Sequence, residues 1–316
     1  MAITKRGLDV LESESYFRSS VDWPQLRSTT LARASRATSL VGAAQLLAGV
    51  LGQLGDHHGF VWVNHDLRFA APSPPRDSSW NVVLSSDHWQ SNTYGHVGYI
   101  EVDGVEVDPS SYSAPGQNDP VAAGIQQEIA RVDTNSTCGW MVDLRRNGGG
   151  NMYPMVAGLG PVLGSGPAGS FVGPGETSSR DSWSYAGGQA FDAGQALDTV
   201  DAPYSLENSN PFVAVLTSPV TTSSGEVLTI SFKGRPKTRS FGLPTAGFTT
   251  ANATFDLGYN VQLVAATSIE ADRDGHIYDG PVSPDEQVPF QPRQIGTPDD
   301  PVIAAARRWL ASEGCS

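Results

Sequence analysis

One short apolar run that ends in three glycines constrains this chain more than any other feature. Cys138-Gly-Trp-Met-Val-Asp-Leu144 shows no alternation of apolar and polar positions. That is the pattern of a strand buried on both faces of a parallel sheet. Arg145-Arg-Asn-Gly-Gly-Gly150 follows it, and Asn151 to Leu163 has helical character. The same order recurs downstream, with an apolar stretch from Pro211 to Ser218, a tight turn at Thr221-Thr-Ser-Ser-Gly225 and a helix expected over Ser223 to Phe232. Repeated strand–turn–helix units predict an α/β fold with a mostly parallel sheet. In such sheets chemistry collects at the carboxyl ends of the strands, where both turns sit.

Other elements follow from periodicity. Residues 1 to about 55 read as helical, with Leu40, Val41, Ala44, Leu47, Leu51 and Leu54 at helical spacing and Gly55 as the stop. His96 to Asp103, Arg239 to Gly242, Tyr259 to Ser268 and His276 to Gly280 are expected strands. Asp119 to Val132 and Pro301 to Ser312 are expected helices, while 66–95 and 164–210 read as loops with short strands.

Composition limits the partners. The 316 residues are 39% hydrophobic and 17% charged, a globular balance with a sizeable core. A net charge of −13 repels phosphates and excludes nucleic acid as a partner. No segment has the ~20 consecutive apolar residues of a membrane span. Met1 to Asp9 has basic residues but no apolar run behind them, so the chain reads as cytoplasmic, or as a mature secreted domain without its leader. Cys138 and Cys315 either pair or remain two thiols.

Few residues can carry chemistry. The Gly148–Gly150 turn is either a positive-φ reversal or a set of bare N–H groups able to hold an oxyanion. It lacks the Gly-Lys-Ser/Thr ending and the G-x-G-x-x-G spacing of nucleotide-cofactor loops. Ser223 is either an exposed nucleophile on a sharp strand-to-helix turn or a helix cap in capping-box spacing with Glu226. A serine nucleophile needs a base, and the pointed histidine context is Leu54-Gly-Asp-His-His58. A metal reading of His57 and His58 fails, because adjacent side chains diverge and no further ligand spacing completes a set. Asp279 is either a buried acid that orients the histidine or part of an Asp-Gly-Pro turn.

Taken together, the turns resemble the tail-specific (C-terminal processing) proteases and the catalytic core of tricorn protease. Val21-Asp-Trp-Pro-Gln-Leu26 is similar to D-W-x-x-L, Leu54-Gly-Asp-His-His58 to L-x-D-x-H, and Gly98-Tyr-Ile100 to G-Y-I. Asp143-Leu-Arg-Arg-Asn-Gly-Gly-Gly150 resembles D-L-R-x-N-x-G-G, and Ser223-Ser-Gly-Glu226 resembles S-A-G-E. Gly242-Leu-Pro-Thr-Ala-Gly247 resembles G-x-x-T-x-G, and Asp279-Gly-Pro-Val-Ser-Pro-Asp285 resembles E-x-x-G-V-x-P-D.

The resemblance implies a crotonase-like fold over 61–316 behind an N-terminal helical subdomain over 1–60. It implies a serine peptidase acting on peptides or polypeptides without a cofactor or metal. Ser223 takes the nucleophile position, and the N–H groups of Ser224, Gly150 and Gly149 take the oxyanion hole. Tail-specific proteases use a Lys at the position of Phe248. The only lysines here are Lys5, Lys233 and Lys237, so the histidine-using branch is the match, with His58 as base and Asp279 as the acidic member. His58 and Gly98 lie too close for the family's PDZ domain. An acyl hydrolase or cyclase on a small substrate, and an inactive ligand-binding member of the fold, are the alternatives.

Overall fold

The structure, a computed structural model, describes residues 1–37, 39–71, 80, 88–105, 119–176 and 181–316. The loops expected between 66 and 95 fall in part outside the described residues. The chain divides into two compact units, one of residues 1–76, 171–178 and 250–269, the other of 77–170, 179–249 and 270–316.

The first unit opens with three helices, α1 (Ala2–Glu14), α2 (Trp23–Ala34) and α3 (Leu40–Leu54). Asp22 caps α2 by accepting from Gln25 N–H, Ser39 caps α3 by accepting from Gly42 N–H, and Gly55 ends α3 at φ 89°. Side-chain oxygens at these N-caps satisfy N–H groups that the helix leaves orphaned. Strands β1 (Phe60–Val63) and β2 (Leu67–Ala70) follow. Late in the chain come β12 (Thr250–Gly258) and β13 (Val261–Asp272), which pair antiparallel; β1 also pairs antiparallel with β13, so β1 and β12 flank it. Leu8, Leu11, Leu47, Leu51 and Leu54 pack with Val61, Val63 and Leu263 into one apolar core. The helical segment expected over 1–60 is therefore only part of a unit that also takes in strands from far along the chain.

The second unit holds the parallel sheet. Its strands are β3 (Trp89–Tyr94), β4 (Val97–Val102), β5 (Gly139–Asp143), β10 (Phe212–Thr217), β11 (Thr238–Gly242) and β14 (Glu286–Gln287), in the order β14-β11-β10-β5-β4-β3. Only the β3–β4 pair is antiparallel. All five residues of β5 are buried, as its unbroken apolar run requires. Gly98 makes room for the neighbouring Trp140, since a Cβ there would sit 2.8 Å from the indole ring.

Helices α4 (Pro120–Val132), α5 (Met152–Leu163), α6 (Ser224–Ser231) and α7 (Pro301–Ser312) supply the crossovers and the cover. On α7, Val302, Ile303, Ala306 and Leu310 pack with Val97, Tyr99, Met141, Ala214 and Leu216 of the sheet. The excursion after α5 carries β6 (Gly166–Val172), β7 (Asp181–Ala186), β8 (Gln189–Asp192) and β9 (Gln195–Thr199), a Gly-rich meander. Cys138 and Cys315 form a disulfide with Cα atoms 5.3 Å apart.

Two strand expectations change. His276–Gly280 is not a strand; it meets the end of β13 in a single bridge, Ala271 to Ile277. The Asp272 carboxylate accepts from Asp274 and His276 N–H groups and folds the chain back, and Pro281, with no N–H to donate, stops any ladder. Conversely, Thr250–Gly258 is a strand that its weakly patterned sequence hides, because pairing with β13 supplies what side-chain alternation does not.

Candidate active site

The glycine turn leaves β5 and is built around Asn147, which is fully buried. Its Nδ2 donates to the Val102 and Asp103 carbonyls at 3.1 and 3.2 Å, and its Oδ1 accepts from Gly149 N–H at 2.9 Å. Gly149 and Gly150 take φ values of 92° and 111°, where side chains are strained. A Cβ on Gly150 would fall 1.5 Å from the Val105 carbonyl oxygen, so no other residue fits there. The Gly149 N–H, expected to face an oxyanion, is engaged by Asn147 Oδ1. Among the described residues, the N–H groups of Gly150 and Ser224 make no hydrogen bond.

Ser223 lies between β10 and α6 with φ 54° and ψ −121°. A non-glycine residue at such a conformation costs on the order of 1–3 kcal/mol, and persists only where neighbours over-determine it. Glu226 is the chief of these. Its buried carboxylate accepts from Ser223 N–H at 2.9 Å, Thr245 Oγ1 at 2.5 Å, Gly247 N–H at 2.7 Å and Phe248 N–H at 2.8 Å. Burial raises the Glu226 carboxyl above its ordinary range, with these hydrogen bonds pulling the other way. The Glu expected in a capping box is thus the anchor that holds the Ser223 turn and the Gly242–Phe248 segment together.

The two turns are stitched side by side. Ser218 Oγ donates to the Arg145 carbonyl at 2.7 Å, Thr221 Oγ1 to the Leu144 carbonyl at 2.8 Å, Thr222 N–H to the Asn147 carbonyl at 3.0 Å and Ser224 Oγ to the Gly150 carbonyl at 2.5 Å. A Cβ on Gly149 would touch Ser223 Cβ at 3.0 Å. These contacts set Ser223 and the start of α6 against the Gly149–Gly150 turn. Partial positive charge at a helix start favours developing negative charge there. Beneath the turns, Arg145 bridges Asp143 and Asp300 in the interior. Burial opposes the Asp143 charge, yet the Arg145 guanidinium holds that carboxyl below its ordinary range.

The histidine turn belongs to the first unit. Asp56 is fully buried; its Oδ1 accepts from His58 N–H at 3.1 Å and Gly59 N–H at 2.7 Å, and its Oδ2 from Ala266 N–H of β13 at 2.9 Å. His57 is exposed and His58 half-buried, which separates the pair that the sequence left together. The His58 Nδ1 lies 2.9 Å from Thr250 Oγ1. Burial lowers the His58 imidazole to about 4, helped by the Arg68 charge and opposed by a hydrogen bond to the Thr250 main chain.

Asp279, expected as a buried acid, is exposed. The Asp-Gly-Pro turn puts it at the surface, and the buried contacts of this loop come from Val282 N–H to Thr245 Oγ1 and Thr249 Oγ1 to the Tyr278 carbonyl. Sequence reasoning passed over Asn147, Thr250 and Glu270. Glu270 is the one with a legible signal, a carboxyl inside the apolar run of β13. Burial, and then the nearby Glu226 carboxylate, push it well above its ordinary range.

The model of peptidase family S41 matches residues 96–288. A nisin-resistance protein of Lactococcus lactis subsp. lactis is 25% identical over 282 residues, which cover 89% of this chain and 81% of that protein. The structure of a lipoprotein from Streptococcus agalactiae superposes with a TM-score of 0.69 at 21% identity, covering 98% of this chain and 96% of its own. The photosystem II D1 C-terminal processing protease superposes with a TM-score of 0.59 at 14% identity, over 95% of each chain.

Proposed function

The chain belongs to peptidase family S41 and is a serine-type peptidase; we propose that it cleaves peptide bonds through an acyl-enzyme on Ser223. His58 is the general base, and the N–H groups of Gly150 and Ser224 form the oxyanion hole. The strained backbone of Ser223, pressed against the glycine turn, carries the reading, because it presents a side chain beside two bare donors. The assignment of His58 to Ser223 rests on the order of the motifs. The core is assigned to the crotonase-like β-α superhelix.

In this mechanism His58 takes the Ser223 proton as Oγ attacks the scissile carbonyl. The N–H groups of Gly150 and Ser224 hold the tetrahedral oxyanion. The imidazolium then protonates the leaving amine, and a water activated by neutral His58 releases the acyl group. Ser223→Ala is expected to abolish both peptide hydrolysis and labelling by a fluorophosphonate. If the variant labels as well as the wild type, the nucleophile lies elsewhere. Comparing polypeptides with small esters separates a peptidase from a small-substrate acyl hydrolase.

The Cys138–Cys315 disulfide supports work in an oxidising, extracytoplasmic setting. That the similar streptococcal structure is of a lipoprotein is in keeping with that. No helix of the described residues is long and apolar enough to cross a membrane. Nisin, named in the lactococcal relative, is a first peptide to test as substrate.

A further inference from the structure

A serine hydrolase base is ordinarily held in one tautomer by a buried acid on its Nδ1. Here the residue expected to supply that acid, Asp279, is exposed. The atom beside His58 Nδ1 is Thr250 Oγ1, at 2.9 Å. We propose that Thr250 is the positioning residue of the base, its hydroxyl accepting Nδ1–H so that Nε2 is left as the basic nitrogen. This rests on reading His58 as the base.

Three observations support the assignment. Thr250 opens β12, paired with Ile269 of β13, and the His58 turn is pinned to Ala266 of the same strand through Asp56. Both partners are thus fixed to one strand from its two sides. A β-branched side chain in a strand has restricted χ1 freedom, so the hydroxyl is set in place before substrate arrives. The Thr250 main chain also hydrogen-bonds to the imidazole in the sense that favours a protonated ring nitrogen.

A hydroxyl carries no charge, so it fixes the ring without stabilising the imidazolium as a carboxylate does. Its loss is therefore expected to cost less than loss of the base itself.

The test compares wild type, Thr250→Val, Thr250→Ser and His58→Ala by steady-state kinetics on a polypeptide, with ¹⁵N NMR of the His58 imidazole. Thr250→Val is expected to lower kcat roughly 10–100-fold, below the ~10²–10⁴ that a general base contributes, with KM nearly unchanged. Thr250→Ser restores most of it. In wild type the ¹⁵N shifts report a proton on Nδ1. A wild-type ring protonated on Nε2 overturns the proposal even if Thr250→Val does not fold. Wild-type kcat in Thr250→Val alongside an inactive His58→Ala overturns it while leaving the base assignment intact. A fully active His58→Ala removes the base assignment, and this proposal with it.

Discussion

At the scale of single residues, the sequence offered two adjacent histidines and the environment separated them. His57 faces solvent, whereas His58 is packed on the Thr250 contact with its imidazole lowered to about 4 by burial. As the proposed base, an imidazole lowered in this way is neutral, and able to accept a proton, above about pH 4. The acid limb of kcat/KM is expected near pH 4 instead of near the ordinary histidine value, measured on a peptide substrate across pH 3.5–8. The stability linkage has a fixed sign. The unfolded chain binds the extra proton below its ordinary value of 6.5, the folded chain only near 4, so unfolding free energy falls as pH drops through that window and levels off below it. His58→Gln removes that slope, and denaturant melts of the two proteins as a function of pH read the difference. Ser223 was legible only as one of a cluster of hydroxyl residues. Its φ of 54° is not written in its own side chain; it comes from Glu226 and the glycine turn.

At the scale of elements, motif letters become contacts. The Asp of Leu54-Gly-Asp-His-His58 ties a helix–strand turn to β13 through three N–H groups. An amide at this position keeps one acceptor and brings an NH₂ toward N–H donors. Asp56→Asn is therefore expected to lose about 2–4 kcal/mol of stability, read from the urea midpoint, and to lower kcat because the same turn carries His58. Helices with clear apolar periodicity, α3, α4 and α7, were legible because one face decides them. β12 was not, since its pairing with β13 is a long-range choice that local pattern does not record.

At the scale of the whole molecule, Cys138 and Cys315 close a loop of 177 residues, joining the entrance of β5 to the end of the chain beyond α7. Constraint of the unfolded chain over so long a loop is a large stabilising contribution. The Cys138→Ser, Cys315→Ser double variant is expected to be less stable by about 2–5 kcal/mol, measured by chemical denaturation without reductant. Its kcat should change little if the strand ends stay held by the buried Asp143–Arg145–Asp300 network. Equal stability of the double variant and wild type would show that the cross-link constrains nothing that folding must order.

What the sequence determined by itself is the α/β class, the parallel core and the two glycine- and serine-bearing turns, because burial on both faces and backbone freedom at glycine leave composition little choice. It also offered Ser223 and His58 as the candidates that the proposed mechanism uses, through motifs in a fixed order. The tertiary structure alone decided that Gly149 N–H is spent on Asn147, that Asp279 is exposed and that Thr250 meets the imidazole. Those outcomes depend on which distant strand lies beside which turn, and hydrogen bonds between residues such as His58 and Thr250 leave no period or spacing in the chain.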